Sequence, residues 1–171
     1  MKNLLIIALA LFTGSALFAQ DFEYIGAAKC KMCHNKADKG SQYDIWKANK
    51  HSKAFETLKS AEALAIAKEK GIADPSKDQS CLKCHATAAV NPDLNIGIKM
   101  EEGVSCESCH GPGSAYKSMS VMKSREKSIE KGMIIPDEKL CKTCHNEESP
   151  TTNHLIMLQL LKQLLTRILW Q

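Results

Sequence analysis

The feature that most constrains this chain is the pattern Cys-x-x-Cys-His, which occurs four times and uses every cysteine. The four copies, called motifs 1 to 4 here, are residues 30–34, 81–85, 106–110 and 141–145. Eight cysteines in 171 residues need a chemical explanation, and four histidines at the same offset need the same one. Any fold of this chain must therefore present four paired thiols, each followed directly by an imidazole.

This pattern is the attachment site for c-type haem. Two thiols three residues apart can each add to one vinyl group on a porphyrin edge, and the imidazole that follows then lies beneath the iron. The predicted attachment residues are Cys30, Cys33, Cys81, Cys84, Cys106, Cys109, Cys141 and Cys144. The predicted iron ligands are His34, His85, His110 and His145. The sequence therefore predicts four covalently bound haem c groups.

Three other uses of cysteine fit the pattern less well. Disulfides suit an exported protein but give no reason for a histidine at the same offset in every copy. A zinc ribbon uses paired Cys-x-x-Cys, yet four sulfurs complete its tetrahedral site and leave the histidines idle. A thioredoxin-like redox site needs one such pair beside a strand and a helix rather than four.

Residues 1–19 are predicted to be a secretory signal peptide. Met1 and Lys2 give a charged start, residues 4–18 form an apolar stretch, and small residues precede Gln20. We expect cleavage after Ala19 and a location in the periplasm, or otherwise outside the cytoplasm, of a bacterium. The alternative is an uncleaved anchor helix, although this stretch is short beside the roughly 20 residues that a span needs.

The rest of the chain is divided into a tetrahaem cytochrome c domain, residues 20–150, and an atypical tail, residues 151–171. Cleavage would leave 152 residues, about 38 for each haem, so the polypeptide core would be thin. Aromatic residues are only 5% of the chain, and we expect the porphyrins to fill the interior instead. A net charge of +4 is too small to indicate nucleic acid. No apolar run is long enough for a multi-span membrane protein.

The segments between the motifs predict a mainly α fold with long loops, a multihaem cytochrome c fold organised around four covalently bound haems. Helices are predicted over residues 41–59, 60–70 and 114–131, with a loop over residues 90–103. Ser41 is the expected cap of the first helix, and Gly71 and Gly132 are expected to end the other two. A short helix beginning at residues 136–138 would present motif 4.

Two histidines lie outside the motifs and are candidates for the opposite faces of the irons, His51 and His154. His51 falls in the first predicted helix, where the alternative is a solvent-exposed histidine between lysines. Methionine thioethers are the other ligand class, and the candidates are Met100, Met119, Met122 and Met133. At least two irons must therefore take methionine, water, another group or an open position.

Several of these segments resemble the cytochrome c-554/c-prime family of tetrahaem cytochromes. The matching segments are residues 24–26, 30–34, 46–54, 81–85, 103–113, 140–146 and 149–150, and the glycine-rich segment around motif 3 is the most specific. The similarity covers about residues 22–150. It implies a mostly helical fold with closely packed haem pairs, electron transfer, and a mixture of bis-histidine and five-coordinate irons. It also implies His51 as a distal ligand.

The tail departs from that family, whose members tend to continue with an aromatic-rich helix and an Ala-His-Pro ending. A shifted reading frame compatible with residues 152–171 can encode such an ending, so we interpret the tail as the product of a single-base deletion or a sequencing error. His154 would then be accidental. The competing interpretation is an amphipathic helix, because polar residues recur along the tail at helical spacing and would suit a membrane surface or a partner.

Three functions are weighed. The first is an exported electron carrier between other redox proteins, with no nucleic acid and no requirement for a membrane, since no substrate-binding or catalytic signature accompanies the motifs. The second is a haem enzyme acting on small nitrogen compounds such as nitrite, nitric oxide or hydroxylamine at an open iron. The third is a quinol-oxidising cytochrome held by an uncleaved N-terminal anchor.

Overall fold

The computed structural model describes residues 22–91 and 95–149, and these residues form short helices joined by long loops. The α-helices are α1 Ala27–His34, α2 Gln42–Ala48, α3 Ala54–Thr57, α4 Ala61–Glu69, α5 Gln79–His85, α6 Cys106–His110, α7 Met119–Met122, α8 Arg125–Glu130 and α9 Glu138–Lys142. Single 3₁₀ turns occupy Ala37–Lys39, His51–Lys53 and Met100–Glu102. Within these ranges the extended pairing is one isolated parallel bridge, Tyr24 to Asn95. The mainly α prediction is confirmed.

The prediction of one helix over residues 41–59 is wrong, because the segment is divided into α2, a 3₁₀ turn and α3. Asn49 is extended and ends α2. The buried Ser52 hydroxyl lies within hydrogen-bond distance of the carbonyl oxygens of Lys47, at 3.0 Å, and Asn49, at 2.9 Å. Serine hydroxyls compete with the helical hydrogen bonds of the backbone in this way. Ser41 is in the left-handed region at φ 49° and provides no side-chain cap.

The prediction of one helix over residues 114–131 is also wrong, since α7 and α8 are separate. Ser124 is extended between them, and its side chain accepts a hydrogen bond from the Lys127 amide. Serine thus interrupts both long segments that apolar spacing alone marks as continuous helices.

The expected helix ends are confirmed elsewhere. Ser60 caps the beginning of α4 with its side chain, and Gly71 lies just beyond the end of that helix with a φ of +69°. Gly132 follows α8 in the same way with a φ of +91°. Helix α9 begins at Glu138, and the side chain of Asp137 caps it. These ends depend on neighbouring residues only, so the local sequence is enough to place them.

The apolar core of the described residues is small. One cluster joins Phe55 and Leu58 from the α3 region to Leu82 and Ala86 from the α5 region. Several large apolar side chains remain exposed instead, among them Met32 at 70%. None of the helices in the described part of the chain has the length and apolar character needed to cross a membrane. A core of this size is marginal for a chain of this length, in agreement with the expected thin core.

Candidate haem-attachment site

Each motif combines a turn of helix with an imidazole at its end. Helices α1, α5 and α6 each end on the histidine of motifs 1, 2 and 3. In motif 4, α9 ends at Lys142, and the His145 amide donates to the Cys141 carbonyl at 3.0 Å. Residues three apart on a helical turn share one side, so each motif presents its two sulfurs together. All eight cysteines are free thiols, so the disulfide alternative finds no support.

The tertiary structure brings motif 1 against motif 3. Helices α1 and α6, which carry these motifs, contact each other, and the neighbouring Cys106 thiol, together with burial, raises the pKa of Cys30. The neighbouring Cys30 thiol lowers the pKa of Cys106. Burial lowers the pKa of His110, and the nearby His34 contributes to the same shift. The first and third motifs therefore face one another, although a long segment of chain separates them.

Motif 2 is brought against motif 4 in the same way. Burial raises the pKa of Cys84 to about 11, and the neighbouring Cys144 thiol adds to the shift. The two motifs are also joined by an exposed ion pair, Lys83 to Glu148, at 3.3 Å. Motif 3 also lies near motif 4. Burial raises the pKa of Cys109, and the nearby Cys141 and Cys144 thiols add to the rise. In space the motifs therefore follow the order 1, 3, 4, 2.

Two motif histidines are oriented by backbone carbonyls. The Nδ1 atom of His85 lies 2.7 Å from the Ala54 carbonyl oxygen. The Nδ1 atom of His110 lies 3.3 Å from the Ile134 carbonyl oxygen. A carbonyl oxygen only accepts, so in each pair Nδ1 carries the proton and donates it. The lone pair is then on Nε2, which is the atom left free to bind a metal ion.

His51, the candidate distal ligand, lies beside a motif histidine. Its ring centroid is 5.9 Å from that of His145, with the two planes tilted by 48°. Burial lowers the pKa of both imidazoles, so both are neutral at pH 7 and able to bind a metal ion. Two imidazoles whose centroids are about 6 Å apart could hold one metal ion between them, given metal–nitrogen bonds of about 2 Å. The structure brings His51 together with motif 4 at that spacing.

The 3₁₀ turn that carries His51 is fixed against the segment before motif 3. The Val104 amide donates to the His51 carbonyl at 2.9 Å, and the Trp46 indole donates to the Val104 carbonyl at 2.9 Å. Gly103, at φ +62°, permits this approach, since a Cβ there would lie 2.6 Å from the His51 carbonyl oxygen. Both polar backbone groups of Val104 are therefore used to hold the turn in place.

Glu107, between the two cysteines of motif 3, is a site residue that the sequence did not single out. Its carboxylate is almost fully buried and accepts backbone N–H groups from Ile25, Gly26 and Gly113 at 2.6 to 3.1 Å. Burial raises its pKa, against the effect of these donors. A glutamate inside a motif that is followed by Gly-Pro-Gly is the only sequence signal for this role. The N-terminal segment is thereby fastened to motif 3.

The other candidate ligands are less well placed or lie elsewhere. Met100 packs against the apolar cluster of the α3 and α5 regions. Met119 is exposed, and the Met122 sulfur lies 3.9 Å from the Ser128 hydroxyl. His154, the tail and the signal peptide lie outside the described residues.

The thiol and imidazole groups fit haem c better than a zinc site. Within residues 22–91 and 95–149, no three or more histidine, cysteine, aspartate or glutamate side chains gather closely enough to hold a metal ion alone. A structural zinc ion needs four such ligands. Haem c attachment uses two thiols on one turn and the imidazole that follows them, and each of the four motifs has these groups.

Comparisons with known proteins agree with the resemblance carried by the motifs. Residues 29–111, which include motifs 1 to 3, match the family described as cytochrome c554 and c-prime. Cytochrome c-554 of Nitrosomonas europaea is 32% identical over an alignment covering 82% of this chain and 66% of that protein. The solved structure of reduced cytochrome c554 from Nitrosomonas europaea is 28% identical, with a TM-score of 0.53. That match covers 78% of this chain and 71% of the solved chain.

Proposed function

Because this chain belongs to the cytochrome c-554 and c-prime family, we propose that it is an exported tetrahaem c-type cytochrome that carries electrons between redox proteins by haem-to-haem transfer. The observation that carries the proposal is the spatial series of the four motifs, in the order 1, 3, 4, 2. In this series helices α1 and α6 contact each other, motif 4 lies near motif 3, and Lys83 of motif 2 pairs with Glu148 just after motif 4. A continuous series suits stepwise electron transfer, because neighbouring centres lie close together. An isolated centre would interrupt it.

The cofactors are four covalently attached haem c groups, which supply reversible one-electron chemistry at iron when bound. In this proposal the two cysteines of each motif hold one porphyrin, and the histidine of each motif binds the iron. The Ala54 and Ile134 carbonyls hold the His85 and His110 rings by their Nδ1 protons, which fixes the rings and keeps Nε2 available. The polypeptide thus contributes attachment, ring orientation and the local polarity around each iron.

His51 would bind the motif 4 iron together with His145. The centroid spacing of 5.9 Å supports this assignment, and so do the hydrogen bonds that fix the turn against Val104. With both imidazoles bound, the iron would be low-spin and would supply one-electron chemistry. The motif 4 centre is therefore suited to electron transfer rather than to binding a small molecule.

Export rests on residues 1–19, and the partners are other redox proteins, one that donates electrons and one that accepts them. Neither proposal requires a nucleic acid or a membrane surface.

The test is the mass and colour of the protein from a bacterial host that matures c-type cytochromes. We expect a mature N-terminus at Gln20, a mass above that of the polypeptide by four haems, and a Soret band that shifts reversibly on reduction. The double variant Cys106→Ala, Cys109→Ala is the matched control and should carry three haems. Colourless protein, or an unchanged haem count in the double variant, would overturn the proposal.

An enzyme acting on small nitrogen compounds is the second candidate, and the shortage of histidine favours it. Only two of the six histidines lie outside the motifs, so at most two irons can have two imidazoles from this chain. An iron with an open position can bind nitrite, nitric oxide or hydroxylamine. A ferric high-spin EPR signal that changes on adding these compounds, with turnover, would support the enzyme; purely low-spin iron would exclude it.

A further inference from the structure

The Ala54 carbonyl oxygen can accept hydrogen bonds from side chains because helix α3 ends in a tight turn. At the end of this four-residue helix, the Leu58 amide donates to the Phe55 carbonyl at 3.1 Å, not to that of Ala54. The Ala54 oxygen instead meets two side-chain donors. Its partners are the Thr57 hydroxyl at 2.6 Å and His85 Nδ1 at 2.7 Å.

Thr57 and His85 also touch each other. The Thr57 Oγ1 atom lies 3.2 Å from His85 Nδ1, so the two donors and the carbonyl form a closed triangle. A carbonyl that accepts two hydrogen bonds shares its electron density between them, and each bond is weaker than it would be alone. The hydroxyl therefore limits how strongly the carbonyl can accept the imidazole proton.

The strength of this bond matters for the iron bound to the same ring. A stronger acceptor at Nδ1 gives the imidazole more anionic character and makes Nε2 a better electron donor. A better donor favours the ferric state and lowers the reduction potential. The carbonyl that accepts the Nδ1 proton of His85 therefore helps to set the reduction potential of the motif 2 haem.

We propose that Thr57 is a positioning residue for the motif 2 centre, which acts by sharing the Ala54 carbonyl with His85 and so keeps the reduction potential of that haem high. The inference rests on the proposed function, in which His85 binds iron. The contact of Thr57 is with Nδ1 of that ring, and not with the nitrogen that binds the metal ion.

The surroundings allow the hydroxyl to be removed without moving the carbonyl. The preceding turn is held by the hydrogen bonds from Val104 and Trp46, and Phe55 and Leu58 pack into the apolar cluster. Thr57 is exposed, so a valine of nearly the same shape meets no packing obstacle. The change should therefore be felt in the hydrogen bond to His85 and not in the backbone.

The experiment compares three variants of the mature four-haem protein by spectroelectrochemical titration. In Thr57→Val, one of the four midpoint potentials should shift to a more negative value, while the other three stay unchanged. Thr57→Ser keeps a hydroxyl and should restore the original value. Thr87→Val is the matched control, because the Thr87 hydroxyl also donates to a carbonyl three residues back, at 3.2 Å from the Cys84 oxygen, but no imidazole of the described residues shares that carbonyl.

Each outcome decides the inference. A single negative shift in Thr57→Val, absent from Thr57→Ser and Thr87→Val, supports it. No shift, a positive shift, an equal shift in Thr87→Val, or a joint shift of all four potentials overturns it. The proposed function is tested separately by the haem count of the same preparations. Four reversible haems with unchanged midpoint potentials would overturn this inference and leave the proposed function intact.

Discussion

The two motif pairs of this molecule are held together by different means. Motifs 1 and 3 are joined through the buried Glu107 carboxylate, which accepts backbone amides from the N-terminal segment and from Gly113. Motifs 2 and 4 are joined instead by residues 51–57, which present His51 to His145 at one end and the Ala54 carbonyl to His85 at the other. The one direct ion pair described between motifs 2 and 4, Lys83 to Glu148, is exposed.

The motif 1–3 pair is therefore held by hydrogen bonds of the polypeptide, whereas the motif 2–4 pair is held around residues that are proposed as metal ligands. Hydrogen bonds to a buried charged group contribute about 1.5–3 kcal/mol each, whereas exposed ion pairs contribute about 0–1 kcal/mol. The motif 1–3 pair should therefore owe much of its order to Glu107. The motif 2–4 pair should depend more on the imidazoles that are proposed to bind iron.

The largest expected effect comes from Glu107→Ala, which leaves the amides of Ile25, Gly26 and Gly113 buried without an acceptor. At about 1–3 kcal/mol for each unsatisfied group, the free energy of unfolding should fall by at least about 3 kcal/mol. Thermal and denaturant unfolding of the four-haem protein, followed by circular dichroism, measures this. Glu101→Ala is the control, since Glu101 is exposed, and it should change stability little. A similar small loss in both variants would contradict the scaffold role of Glu107.

Removal of the His51 imidazole should change one centre of the motif 2–4 pair. In His51→Ala the motif 4 iron loses its proposed sixth ligand, so about one quarter of the iron should become high-spin, as measured by ferric EPR. Lys53→Ala, in the same 3₁₀ turn, is the control and should leave the spin state unchanged. An unchanged high-spin fraction in His51→Ala would place His51 outside the coordination of any haem.

A smaller effect is expected in the pH dependence of stability. Burial raises the pKa of Glu107 above the ordinary value of 4.5, so the folded chain binds this proton more tightly than the unfolded chain. The contribution of this proton to the free energy of unfolding is complete below pH 4.5 and is lost as pH rises through the folded-state pKa. Glu107→Gln should remove this decline, as measured by unfolding at a series of pH values against Glu101→Gln. Parallel curves for wild type and Glu107→Gln would show that Glu107 does not titrate in this way.

The smallest effect is expected from Lys83→Gln in the motif 2–4 pair. The Lys83 and Glu148 side chains are 58% and 80% exposed, so water screens their attraction. The free energy of unfolding should change by less than about 1 kcal/mol, as measured by denaturant titration at low and high salt. A larger loss that disappears at high salt would mean that this ion pair, and not residues 51–57, joins the two motifs.

Much of the local structure was predictable from the sequence, and the predictions that were wrong have a common cause. The Ser60 cap and the helix end at Gly132 follow from residues adjacent in sequence. The division of residues 41–59 was not predictable, because the Ser52 hydroxyl reads as an ordinary polar helix residue until its carbonyl partners are known. The use of Glu107 as an acceptor for distant amides has the same character, since its partners in the N-terminal segment lie about 80 residues away.

The sequence by itself determined the chemistry of this protein, because the two sulfurs and the imidazole of each attachment site lie within five consecutive residues. Only the tertiary structure decided that motif 1 faces motif 3 and motif 2 faces motif 4, and that His51 stands beside His145. The physical reason is range. Attachment depends on covalent spacing along one helical turn, whereas pairing depends on hydrogen bonds and packing between segments that are distant in the chain.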